Sequence, residues 1–129
     1  MEIIETPIEG LIVLAPRVYE DQRGSFCETF NESVFQSIVG GDSEPVRFVQ
    51  DNQSVSRRGV LRGLHLQTRR PQGKLVRVSL GVIFDVAVDC RLDSTTHGQW
   101  YGVELDDRSA QQLWVPPGFA HGFLTLSAT

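Results

Sequence analysis

The sequence predicts an all-β protein, an antiparallel sandwich or barrel with one short helix near residues 32–39. Three observations carry this. Short apolar or alternating runs recur along the chain, Gly and Pro punctuate them, and helical periodicity appears only once. Residues 11–14 form a short apolar strand after Gly10, and 24–30 place Phe26, Glu28 and Phe30 on one parity. Asn31 can cap the helix, whose apolar stripe joins Val34 to Ile38 and Phe35 to Ile38 and Val39; Gly40 and Gly41 stop it. Residues 46–52 read as a strand with Val49 amid polar neighbours. Further strands are expected over 59–67, 74–80, 82–89, 99–105, 111–115 and 121–126, with turns such as Asp106-Asp107 and Pro116-Pro117-Gly118. The 129 residues are enough for one core, so a single domain over 1–129 is expected, with no repeat or linker.

Composition narrows the class. With 40% hydrophobic and 22% charged residues, the chain is not disordered, collagenous or a coiled coil. Its longest apolar stretch, residues 80–88, is broken by Asp85 and falls far short of the ~20 residues a membrane span needs. Glu2, Glu5 and Glu9 at the amino terminus are wrong for a secretory leader. Cys27 and Cys90 stand in no metal or redox spacing and read as reduced core residues, so a cytoplasmic location is expected.

The charge map is uneven. The formal charge is −4, from 12 basic and 16 acidic residues. Yet no acidic residue lies between Asn52 and Asp85, where Arg57, Arg58, Arg62, Arg69, Arg70, Lys74 and Arg77 all fall. Lys74 is the only lysine among the 12 cations, and the arginines favour bidentate recognition of phosphate or carboxylate. Such a block in an acidic protein reads as an anion site, with a solvated basic strand pair as the plain alternative. A nucleic-acid partner is disfavoured, because the chain is acidic and the segment interleaves no aromatic platform.

Two strands hold candidate chemistry. Over 82–89, both faces are mostly apolar, so Asp85 is expected to be enclosed. A buried carboxylate needs a partner: either an internal salt bridge or a base that it orients. Over 59–67, Arg62 and His65 have opposite parity, and a bulge at Gly63 would bring both to one face.

The histidines raise the metal question. His65 ends a G-x5-H run, and His121 ends Pro116-Pro117-Gly118-Phe119-Ala120-His121, a PxGxxH pattern. The pair resembles the two half-motifs of the cupin superfamily, which implies a cupin-like β jelly roll. Metal-binding cupins continue the first half-motif as HxH with a later Glu; here Gln67 holds the second His position, and no acidic residue follows before Asp85. No metal and no cofactor are therefore expected. His97 sits in a turn-rich loop and is expected to be exposed. A lone strand histidine is more often structural, but Arg62, Lys74 and Asp85 around His65 point to proton abstraction beside a carbonyl, with the ammonium stabilising an enolate. No Ser or Cys sits in an elbow or triad context for acyl transfer.

The stretches DQRGSFCETFN, RFVQDNQSVSRRGVLRGLHLQ, QGKLVRV, GVIFDVAVDCR, GQWYGVEL and QLWVPPGFAHGF closely resemble the dTDP-4-dehydrorhamnose 3,5-epimerase family. The resemblance runs from about Ile3 to the chain's end. It implies a metal-free, cofactor-free epimerase that acts on a dTDP-linked 4-keto-6-deoxy sugar, in dTDP-L-rhamnose biosynthesis. On this chain it makes His65 the base that removes the C3 and C5 protons, Lys74 the enolate stabiliser and Arg62 the diphosphate clamp. It adds Arg23, Gln50 and Asn52 as nucleotide and phosphate contacts, Phe26 and Glu28 in a nucleotide-facing segment, and His121 beside the sugar. It also implies a homodimer with exchanged amino-terminal strands. Family members continue past Thr129 with further strands, a tyrosine acid and an acidic partner for the base, none of which Tyr19 or Tyr101 matches. Loss of such an acid is expected to impair epimerisation, since general acids contribute ~10²–10⁴-fold. Asp85 is the candidate to orient His65 in place of that partner. The competing functions are a non-catalytic dTDP-sugar-binding jelly roll, a related 3- or 5-epimerase, and a 3,4-ketoisomerase.

Overall fold

The computed structural model describes residues 1–42 and 44–128. In chain order its elements are β1 (Glu2–Glu5), β2 (Ile12–Ala15), β3 (Val18–Asp21), β4 (Gly24–Cys27), α1 (Glu32–Val39), β5 (Leu61–His65), β6 (Lys74–Arg77), β7 (Val82–Asp89), β8 (Trp100–Asp106), β9 (Gln112–Val115) and β10 (Phe119–Thr125). Two four-stranded antiparallel sheets form, ordered β1-β2-β9-β6 and β5-β10-β7-β8, and β3 pairs with β4 as a separate hairpin.

Alternating side chains join the two larger sheets. Val13, Leu113 and Val115 from one, with Leu11 just before β2, meet Ala87, Leu105 and Phe119 from the other, all nearly or fully buried. On β7 the buried parity is Asp85, Ala87 and Asp89, so the strand places two carboxylates inside with a single alanine between them. A second cluster lies outside this sandwich. Phe35 on α1 packs edge-on against Trp114 of β9, with ring centroids 5.1 Å apart, and Phe30 and Phe48 close around the pair.

The helix begins as the sequence predicts: the Asn31 side chain accepts the Val34 N–H, and Glu32 stands in the positive first turn. Residues 46–52 differ from expectation, for they form no strand. The Gln36 side chain takes both backbone groups of Val46, donating to its carbonyl and accepting its N–H, so the segment is fastened to α1 rather than to a ladder. Strands β1 and β3 escaped the sequence reading because their side chains are almost all exposed and show no alternation; they exist through backbone pairing with β2 and β4. Cys27 and Cys90 are both free. Among the described residues no helix is long and apolar enough to cross a membrane.

Candidate functional site

The site is built on the inner face of the sheet β5-β10-β7-β8, and its geometry begins with a bulge. His65 stands opposite His121 and Arg62 opposite Phe123, so three steps on β5 match two on β10. Directly paired residues share a face, and His121 and Phe123 have equal parity. The extra residue therefore turns Arg62 and His65 to the same side, as a bulge at Gly63 predicts. Gly63 has φ +105°, and a Cβ there would lie 2.6 Å from the His121 carbonyl oxygen, so only glycine permits this approach.

The register extends across the sheet in two rows. One runs His65, His121, Ala87, Tyr101; the other runs Arg62, Phe123, Asp85, Val103. Asp85 is fully buried, and its Oδ1 accepts a hydrogen bond from Nε2 of His121 at 2.8 Å. The expectation that Asp85 orients His65 is corrected here. Asp85 lies on β7, beyond β10, and its bond goes to the intervening strand's histidine. The ring of His65 makes no hydrogen bond among the described residues and is exposed.

Electrostatics distinguish the groups. Burial pushes the Asp85 carboxyl above its ordinary range, while the His121 bond and the nearby charges of His121 and Lys74 pull the other way. Lys74, half-buried on β6 of the facing sheet, thus lies close enough to act on Asp85 across the sandwich. Its ammonium makes no hydrogen bond among the described residues. Arg62 is held from behind: its Nε donates to the Ser56 hydroxyl at 2.9 Å. Ser56 was not foreseen, and only a contact made by the fold reveals it. Tyr101, which does not match the position of the family's tyrosine acid, lies in the row of His65 and packs on the core.

The other expected residues are not gathered here. Arg23 and Phe26 lie on the β3–β4 hairpin, where with Tyr19, Glu20, Asp21, Gly24 and Ser25 they line a shallow cleft. Arg23 is exposed and donates to Asp21 at 2.5 Å, and Phe26 is 70% exposed. Glu28 is exposed just beyond β4. Gln50 donates to Asn52 at 3.2 Å in the strandless segment. Among the described residues none of these five bonds to Arg62, His65 or Lys74. His97 is exposed, as expected, with Nδ1 2.9 Å from the Arg91 carbonyl oxygen. No group of three or more His, Cys, Asp or Glu among the described residues is arranged to hold a metal ion.

Fold and site together define a cupin-like β-sandwich whose inner face gathers two histidines, a buried carboxylate, an arginine and a lysine. The family profile of dTDP-4-dehydrorhamnose 3,5-epimerase matches residues 5–129. The chain belongs to that family. It is 57% identical over 124 residues to the dTDP-4-dehydrorhamnose 3,5-epimerase of Methanothermobacter thermautotrophicus, covering 96% of this chain and 65% of that one. The Escherichia coli K12 enzyme of the same name is 54% identical over 128 residues, covering 98% and 68%. Among solved structures, the dTDP-6-deoxy-D-glucose-3,5-epimerase of Legionella pneumophila in complex with dTDP-4-keto-L-rhamnose superposes with a TM-score of 0.92 at 51% identity, covering 98% of this chain and 66% of that one. The chain thus spans about two thirds of the length of the relatives it matches.

Proposed function

We propose that this chain carries dTDP-4-dehydrorhamnose 3,5-epimerase chemistry, inverting a dTDP-linked 4-keto-6-deoxy sugar by proton abstraction next to its C4 ketone. The observation that carries the reading is the bulged β5–β10 register, which sets Arg62 and His65 on one face opposite the β6 strand that bears Lys74. In this reading Arg62 clamps the diphosphate, and its planar fork suits paired phosphate oxygens. His65 enters as the neutral imidazole and takes the proton from C3 or C5. The electrons move onto the C4 oxygen, and the Lys74 ammonium stabilises that enolate without itself having to give up a proton. Inversion is completed when the enolate collapses and the carbon takes a proton from solvent water on its opposite face. No metal or organic cofactor has a part.

A homodimer belongs to the same proposal. Ile3 on β1 is 46% exposed and Phe26 on the hairpin is 70% exposed; among the described residues β1 pairs only with β2, and the β3–β4 hairpin pairs with neither larger sheet. In a dimer the hairpin residues Arg23 and Phe26, with Glu28, Gln50 and Asn52, would complete a nucleotide site that one copy alone leaves open. A cytoplasmic setting fits two cysteines that are both free.

The test is solvent exchange. Incubated in deuterium oxide with the keto sugar nucleotide, the chain is expected to place deuterium at C3 or C5, and His65→Asn is expected to stop it. Binding of the sugar nucleotide without any exchange would instead support the non-catalytic alternative. Light scattering across a concentration series checks the dimer.

A further inference from the structure

We propose that Arg69 and Arg70, on the loop joining β5 to β6, steer the diphosphate of the sugar nucleotide into the site without bonding to it once it is bound. The proposal rests on the sugar-nucleotide reading above and adds to it a pair of residues that set the association rate. These two cations govern how fast the anion arrives, while Arg62 governs how long it stays.

Topology puts the pair at the entrance. Strand β5 is the outer strand of one sheet and β6 the outer strand of the other, so residues 66–73 cross the gap between the sheets. The crossing starts at His65 and ends at Lys74, the two groups assigned to the proton chemistry. Both ends are anchored: His65 pairs with His121, and Gly73 lies so close on the Trp114 ring that a Cβ there would overlap it. Between the anchors, residues 66–72 are all exposed. Arg69 follows His65 by four residues and Arg70 precedes Lys74 by four, and a chain advances at most ~3.6 Å per residue. Between Cα atoms, Arg69 therefore lies within about 14 Å of His65, and Arg70 within about 14 Å of Lys74.

The fold does not neutralise this charge. All 16 acidic residues lie outside the run from Gln53 to Phe84. Folding could have brought some of them back, yet among the described residues neither Arg69 nor Arg70 makes an ion pair or a side-chain hydrogen bond. Two guanidinium groups thus stand in water at the entrance of a chain whose formal charge is −4. A diphosphate ester carries a negative charge on each phosphate, so the acidic remainder of the chain repels it and the loop draws it in. The range suffices, because the Debye length is ~10 Å at 0.1 M salt and ~30 Å at 0.01 M. A clamp would be built differently: Ser56 holds Arg62 from behind, whereas no side-chain bond orients Arg69 or Arg70 among the described residues. Arg77 supplies an internal control. Leu75 packs in the outer aromatic cluster and Val76 on the core between the sheets, so Arg77, with the parity of Leu75, faces away from the site.

The experiment separates arrival from escape, by stopped-flow mixing of the full chain with ribose-labelled fluorescent dTDP across a salt series. Wild-type kon is expected to fall as salt rises from about 0.01 M to about 0.5 M. Arg69→Gln with Arg70→Gln is expected to lower kon roughly three- to sevenfold at the low-salt end, the Coulomb effect of two charges at that range, and to match wild type at the high-salt end. Its koff is expected to stay unchanged, since remote charges alter arrival and contacts alter escape. Arg69→Lys with Arg70→Lys is expected to retain the wild-type kon, because steering depends on charge and not on the guanidinium fork. Arg77→Gln removes the same charge and is expected to leave kon nearly unchanged. A salt-independent wild-type kon, an unchanged kon in the Gln pair, a loss confined to koff, a slow Lys pair, or an equal loss in Arg77→Gln overturns the proposal. A chain that binds no dTDP sinks the sugar-nucleotide reading along with it. Steering without deuterium exchange would sink the epimerase reading but leave this role standing; exchange with salt-independent association would do the reverse.

Discussion

Gly63 and Gly122 pack backbone against backbone across the β5–β10 ladder. A Cβ on Gly63 would sit 2.7 Å from the Gly122 Cα, and one on Gly122 would sit 2.6 Å from the Arg62 carbonyl oxygen. Both contacts involve backbone, which cannot swing aside as a flexible side chain can. The bulge that unites Arg62 and His65 on one face is therefore maintained by two absent side chains.

Gly63→Ala is expected to cost roughly 1–3 kcal/mol, because the residue has φ +105° and its methyl would enter the opposing backbone. Deuterium exchange should fall more steeply than stability, since relaxing the bulge splits Arg62 from His65. Thermal unfolding beside the exchange assay checks this, and full exchange in a folded Gly63→Ala chain would show that the bulge is dispensable.

Arg62→Lys retains the charge but loses the fork and the Nε–H that Ser56 accepts. Charged hydrogen bonds are worth about 1.5–3 kcal/mol, so dTDP is expected to bind roughly 10- to 150-fold more weakly. Calorimetric titration measures it; unchanged affinity would remove Arg62 from the phosphate site. Ser56→Ala should produce a smaller loss in the same direction.

Asp89 gives a pH signature. The Arg91 guanidinium, with the Ser94 and Thr96 hydroxyls, holds its carboxyl far below the usual range although the side chain is buried. A depressed carboxyl stabilises the fold above its unfolded value of about 3.9, and that contribution is lost as the pH falls through the folded value. Asp89→Asn is therefore expected to lower the melting temperature at neutral pH and to converge with wild type in strong acid. Burial shifts Asp85 upward, so its protonation relieves a cost on the same descent. A penalty for Asp89→Asn that stays constant down to strong acid would contradict the assignment.

Phe35→Ala removes a ring that is 3% exposed and touches Phe30, Phe48 and Trp114. The expected loss is ~3–5 kcal/mol. Protection of the Val46 amide in hydrogen exchange should vanish with it, because Gln36 on the same helix accepts that N–H. Denaturant unfolding and exchange of the Val46 amide check the two effects separately.

Much of this protein was legible in one dimension wherever a local pattern carries the physics. The cap at Asn31, the alternation over 82–89 that encloses Asp85 and the basic block around Arg62 all depend on neighbours a few residues apart. Even the bulge at Gly63 could be anticipated, since a glycine between two polar residues of opposite parity is where a strand can change face. Strands β1 and β3 could not be anticipated, because an exposed strand is selected by its partner's backbone rather than by its own side chains. Residues 46–52 failed for the converse reason: their backbone partner is the Gln36 side chain, ten residues earlier than Val46.

The sequence alone determined the β class, the short helix, the family and the residue types at the site, because periodicity and motif are local properties. Only the tertiary structure decided who meets whom. It gave Asp85 to His121 instead of His65, set Ser56 behind Arg62 and brought Lys74 across from the facing sheet. The physical reason is that strand parity says which face a side chain takes, whereas partnership depends on sheet order and on register between strands far apart in the chain.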